Sequence, residues 1–373
     1  MKKIVFLSYL LALCGFNTAI AANVEYNTSA KLRALYGYTE PANAFKKTQN
    51  KNNFPLFGYL SQKISYQKSD TLSFNLHGSL KTQASNSIEN LNQGHWGEEI
   101  YASVFSDVGD FYIGQMENAA AKLSVTNALL PVWQPLPVNI TDFIENPNWQ
   151  QKNRTKYYNT LTSTIPNTDG SSFKFLYITP EYYNTTLGFS YTPSVNSADS
   201  LISKFSSYHN KSAYSVAMYH RLETNSFDTD FYISMSDYKN SHTEYGTGIS
   251  FYRKGLTVYA SYLKSEVQNS DKPITKSNKS KNKQAYFDDF RKSTAYNLGI
   301  SYEFAFLTST LSYFNSYSQN TKARNRIINL HNSIKFDKKY TLYLGCGYTD
   351  FKKFNGNLGN KGFSAYTGVE FEL

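Results

Sequence analysis

The chain has little cysteine: only Cys14 and Cys346 in 373 residues. That excludes a disulfide-stapled secreted domain. Beyond residue 21 it has no uninterrupted apolar run of the about 18 residues a spanning helix needs. Helical membrane spans are therefore excluded. Acidic residues are in the minority, with 28 Asp and Glu against 38 Lys and Arg, giving a formal charge of +10. Such a balance suits a nucleic-acid binder, but no basic helix or stacking motif accompanies it, and no nucleic-acid partner is expected. His95, His209, His220 and His242 have no metal-ligand spacing. No phosphate-cradling glycine loop precedes a helix. Neither a metal nor a cofactor is expected.

The N-terminus has the marks of export. Lys2 and Lys3 are followed by the apolar stretch 4–16 and by Ala19-Ile20-Ala21, a small-residue cleavage site. Residues 1–21 are therefore expected to be a cleaved signal peptide, leaving 22–373 as one domain. A lipidated Cys14 is the rival reading, and the bulky Leu13 before it argues against that. Without Lys2 and Lys3 the formal charge is +8. Cys346 alternates with Leu342 and Leu344 and reads as a small apolar side chain.

What the chain has in abundance is aromatics, 32 Tyr and 26 Phe, at a mean hydropathy of only −0.49. Alternation reconciles the two. In 294–304, Tyr296, Leu298, Ile300, Tyr302 and Phe304 fall on one face and Asn297, Gly299, Ser301 and Glu303 on the other. The same period of two runs through 71–82, 244–252 and 340–351. A membrane barrel combines an apolar outer row with a polar inner row on every strand, so its mean hydropathy stays low. Short connections near 68–70, 106–110, 180–183, 223–227, 254–255, 305–306 and 337–339 alternate with long polar ones. The count is about sixteen strands, and short periplasmic turns with long outer loops explain the alternation. Residues 152–163 also alternate, but counting them as spanning breaks the rhythm, so they are assigned to the tail of the long connection 116–170.

That connection is too long to be idle. Ala119-Ala120-Ala121-Lys122-Leu123 favours a short helix. Pro131, Pro135 and Pro137 forbid a ladder strand.

Two patches carry a resemblance. FSDVGDFYIGQ (105–115) resembles the turn and strand leading into the third loop of Gram-negative general porins. FLYITPEYYNTTLGFSYTP (175–193) resembles a hairpin of the same family through Tyr177, Thr179, Pro180, Gly188, Phe189, Ser190, Tyr191, Thr192 and Pro193. The last strand, GFSAYTGVEFEL, resembles the C-terminal assembly signal of outer-membrane proteins, although it ends in Leu373 rather than an aromatic residue. The resemblance implies an all-β, sixteen-stranded transmembrane barrel in the outer membrane, a homotrimer inserted by the outer-membrane assembly machinery. It also implies a third loop folded into the pore. Glu117, Trp133, Asp142 and Glu145 are then the constriction-loop candidates, with Trp133 anchoring and the acids facing a basic wall. The wall candidates are Lys31, Arg33, Lys152, Arg154 and Lys156; Gln115 stands where many porins place an arginine.

The function so implied is passive diffusion of small hydrophilic solutes and ions. The alternatives are a sugar-preferring channel using Trp133 or luminal tyrosines, and a closed adhesive or structural barrel. An enzyme is not expected. His77 with Ser79 and His331 with Ser333 are the hydrolase-like pairs, but both oppose the apolar rows and so face the lumen, away from a lipid substrate. The basic stretch 272–283 reads as a solvated outer loop.

Overall fold

The structure, a computed structural model, describes residues 23–41, 51–84, 99–125, 143–144, 149–152, 155–158, 160–167, 169–170, 172–195, 212–239, 242–267, 292–319, 322–337, 339–352 and 359–373. Sixteen strands make the wall. They are β1 (Val24–Glu40), β2 (Leu56–Ser69), β3 (Leu72–Ala84), β4 (Glu99–Ser106), β5 (Gly109–Gln115), β6 (Phe173–Ile178), β7 (Thr185–Thr192) and β8 (Ala213–Glu223). The second half comprises β9 (Asp228–Tyr238), β10 (His242–Arg253), β11 (Leu256–Val267), β12 (Ser293–Phe304), β13 (Leu307–Ser318), β14 (Arg324–Lys335), β15 (Tyr340–Lys352) and β16 (Gly359–Glu372). A two-residue piece, Asn52–Asn53, prolongs the pairing of β1 above β2. Neighbours in sequence are neighbours in the sheet, all antiparallel. β1 and β16 pair from Lys31 opposite Glu372 to Glu40 opposite Phe363, which closes the barrel and removes both edges.

Period-two alternation puts the faces where the residues require them. On β12, Tyr296, Leu298, Ile300 and Tyr302 are exposed outward, while Ser293, Ala295 and Asn297 are buried inward. The C-terminal strand follows suit, with Phe363 and Val369 exposed outward and Ser364, Tyr366 and Glu370 buried inward. The exterior is thus apolar and the interior polar, the reverse of a soluble domain and the arrangement lipid demands.

The short connections are true hairpin turns. Between β10 and β11, Lys254 and Gly255 take φ of 47° and 82°. Positive φ at both positions is the two-residue turn whose twist matches the flanking strands. A side chain on Gly255 would also meet the Glu303 carbonyl oxygen at 2.5 Å.

Among the described residues, 152–163 contribute no strand to the wall. Trp149–Lys152 and Thr155–Tyr158 pair only with each other, in a separate two-stranded hairpin. Lys152 and Lys156 lie on that hairpin, inside the long connection to which the sequence assigns them.

Candidate functional site

The interior is occupied by described parts of the connection between β5 and β6. It begins at Met116, which is fully buried and packs with Ala119 and Leu176. The helix α1 (Ala119–Lys122) follows, capped by Asn118, whose side-chain oxygen accepts from the Ala121 N–H at 2.9 Å. The first N–H groups of a helix have no partner within it, and here strand serines accept from two of them. Ala119 N–H donates to Ser190 Oγ at 3.1 Å and Ala120 N–H to Ser215 Oγ at 3.2 Å. Three consecutive alanines let the helix backbone approach β7 and β8 this closely. Val125 then packs with Ala217 and Tyr232 over Gly248, where an added Cβ would stand 2.9 Å from Val125 Cγ2.

The far wall holds a second anchor. Phe143 is fully buried, stacks on Tyr366 with ring centroids 5.2 Å apart, and packs with Leu35, Phe57 and Tyr343. Its carbonyl accepts from Thr39 Oγ1 at 2.7 Å and Asn53 Nδ2 at 3.0 Å. Gly37 faces this ring and has no room for a side chain. The returning chain then follows β11 to β13. Leu161 packs with Leu263 and Ala295, Thr160 bonds Ser316 at 3.2 Å, and Thr164 bonds Ser261 at 2.8 Å. One connection thereby touches the wall at β7–β10, at β1, β2, β15 and β16, and at β11–β13.

A buried clamp closes its base. Asp169 accepts from Asn118 Nδ2 at 2.8 Å and from Thr192 Oγ1 at 2.7 Å, and lies 3.2 Å from Lys174 Nζ. Lys174 also donates to the carbonyls of Met116 and Gly170, both at 2.6 Å. The residues that start the loop and those that end it are thus tied to one carboxylate and one ammonium group.

Of the expected wall cations, Lys31 and Arg33 do face inward, but both are neutralised. Lys31 pairs with Glu372 at 2.9 Å. Arg33 is fully buried, donates from Nε to Glu370 at 3.0 Å, and lies 4.4 Å over the Tyr343 ring. Lys174 and Arg221 likewise have Asp169 and Asp230 within 3.2 Å and 2.8 Å. Two inward lysines differ. Lys63 Nζ stands 5.5 Å above Phe105, and Lys122 Nζ 5.3 Å above both Tyr101 and Tyr112. Among the described residues neither has a carboxylate in ion-pair contact. Their rings form one half-buried cluster, with Tyr101 and Phe105 each within 5.8 Å of Tyr112 and the His77 ring tilted 4.8 Å from Tyr101. Beside them Glu117 donates its N–H to Glu99 at 3.4 Å, and Glu99 lies 3.9 Å from His77. Glu117 is thus inside the barrel beside this cluster, whereas Trp133, Asp142, Glu145 and Arg154 lie outside the described residues.

Sequence reading missed Lys63, Lys122, Asp169 and Lys174. The inward phase of β2 marks Lys63 and that of β6 marks Lys174. Nothing in the sequence pairs Lys174 with Asp169. The hydrolase-like pairs dissolve: His331 bonds the Tyr366 hydroxyl at 2.6 Å and is buried, and His77 faces Glu99.

Comparison with known proteins agrees with this architecture. The Gram-negative porin family matches residues 10–353. The fold is similar to that of Salmonella typhi OmpF in complex with daunomycin, at TM-score 0.62 and 13% identity over 93% of this chain and 97% of that one. An anion-selective porin from Comamonas acidovorans gives 0.58 and 11% over 94% and 100%. The trimer form of Vibrio cholerae OmpT gives 0.57 and 9%, also over 94% and 100%. No curated protein sequence matches. Sixteen closed strands with an apolar exterior and a connection seated in the lumen are thus joined to a sequence match over most of the length: the chain belongs to the Gram-negative porin family.

Proposed function

We propose that this outer-membrane porin is a passive diffusion channel for small hydrophilic solutes with a modest preference for anions, narrowed by the connection between β5 and β6. The observation that carries the preference is the distribution of luminal charge. Lys31, Arg33, Lys174 and Arg221 are each matched by a carboxylate, and Lys63 and Lys122 stand over aromatic rings instead. Glu99 and Glu117 nearby moderate the field. In a narrow passage local charge outweighs the net charge of the molecule. The residues 1–21 act as a cleaved signal peptide, and the assembled form is a homotrimer delivered by the outer-membrane assembly machinery. The described histidines support no enzymatic role.

The test is the reversal potential of single channels in a planar bilayer under a salt gradient. Wild type is expected to favour the anion. Lys63→Glu with Lys122→Glu is expected to move the permeability ratio toward cations by about fivefold or more, given ~1 kcal/mol for one unit charge at ~4 Å in water. An unchanged potential in the double variant rejects this assignment, and silence from a folded, inserted barrel rejects the channel.

A further inference from the structure

Aromatic rings and two ammonium groups meet on the inner wall where α1 passes β2 to β5. One rung of the ladder sets three side chains in a row. Lys63 on β2 stands opposite His77 on β3, and His77 stands opposite Tyr101 on β4. Phe105 shares the inward phase of Tyr101, and Tyr112 on β5 lies inward between the exposed Phe111 and Ile113. The Lys63 Nζ lies 5.5 Å from the Phe105 centroid. α1 brings Lys122 to the same corner, its Nζ 5.3 Å from the centroids of Tyr101 and Tyr112. One cation therefore belongs to the wall and the other to the loop.

A ring face attracts an ammonium group but leaves other N–H groups of that ammonium to find acceptors. A carboxylate supplies them through charge-assisted bonds. The rings are half-buried and so keep area for a further ring, which packs against them offset or edge-on. Glu99 accepts from the Glu117 N–H at 3.4 Å and stands 3.9 Å from His77, so a second carboxylate on the same solute would meet like charge. We infer that this corner binds a planar aromatic monocarboxylate, its carboxylate met by Lys63 and Lys122 and its ring packed against Tyr101, Phe105 and Tyr112. Such a solute links the loop helix to the wall, and its residence interrupts the ion current. The inference names a substrate class for the two anion-attracting lysines and rests on that reading of them.

The test records single channels of the purified full-length protein in about 0.1 M salt, where charges act over ~10 Å. Three probes are added. They are benzoate, cyclohexanecarboxylate (the charge without an aromatic ring) and benzamide (the ring without the charge). Benzoate is expected to block wild type at a concentration at least about threefold lower than cyclohexanecarboxylate and about tenfold lower than benzamide. Tyr101→Leu with Tyr112→Leu is expected to abolish the first difference, and Tyr101→Phe with Tyr112→Phe to keep it. Lys63→Gln with Lys122→Gln is expected to abolish the second. Saturation-transfer NMR with the same probes on the barrel in detergent reads the same ranking without a current. Silent channels that still rank the probes this way reject the channel and keep the site. Currents with the expected reversal potential but equal block by benzoate and cyclohexanecarboxylate overturn the inference and leave the channel reading standing. A leucine variant that retains the first difference, or a phenylalanine variant that loses it, overturns the inference as well.

Discussion

Asp169→Ala is expected to keep the barrel and release the loop. The carboxylate holds the cap residue of α1, a hydroxyl on β7 and the Lys174 ammonium group at once. Asp169 and Lys174 are both buried, at 1% and 0% exposure, so removing one partner strands the other charge. Breaking a buried pair in this way costs about 3–5 kcal/mol, and the weakened helix cap adds about 1 kcal/mol. That cost falls on the loop, because the sixteen strands keep their own ladder and Asp169 lies outside it. The expected result is a higher single-channel conductance, noisier steps and faster uptake of larger sugars in liposome swelling, with strand content unchanged by circular dichroism. Asp169→Asn retains hydrogen-bonding capacity and loses only the charge, so it should fall between. If Asp169→Ala conducts like wild type, the clamp does not govern the passage.

The wall was legible because lipid enforces a pattern of two residues with no exceptions in the middle of a strand. Once Tyr296, Leu298 and Ile300 are known to face out, Asn297 must face in. The same phase correctly placed His77 and His331 inside. The helix at Ala119–Lys122 was legible from propensity. What the loop touches was not, because contact between Phe143 and Gly37, or between Asp169 and Lys174, depends on how the chain crosses the lumen. No local periodicity encodes that crossing. The inward glycines hold a partial signal: Gly37 and Gly248 look like gaps in a strand and are seats for loop side chains. The pairing of Lys31 and Arg33 with carboxylates was hidden for a similar reason. Their partners lie at the other end of the sequence and become neighbours only when the barrel closes.

That closure leads to the second large effect, on stability rather than on passage. Arg33 on β1 stands directly opposite Glu370 on β16, across the seam where the first strand meets the last. Tyr343 completes a buried triad, donating to Glu370 at 3.2 Å and accepting from Arg33 at 3.2 Å. Lys31 and Glu372 make the next pair along the seam, but Glu372 is 42% exposed. Such an exposed pair is worth about 0–1 kcal/mol. Glu370→Ala leaves the Arg33 guanidinium buried without its carboxylate and is expected to cost about 3–5 kcal/mol. Arg33→Met with Glu370→Met removes both charges and keeps the volume, so it should recover most of that loss. Urea unfolding followed by tryptophan fluorescence, run on the two single variants and the double, measures the coupling. A double variant as unstable as the sum of the singles would mean that the seam is held by its backbone ladder and the tyrosine packing, with the ion pair contributing nothing of its own. The physics favours coupling, because the penalty in each single variant comes from the charge left behind, and the double variant leaves none.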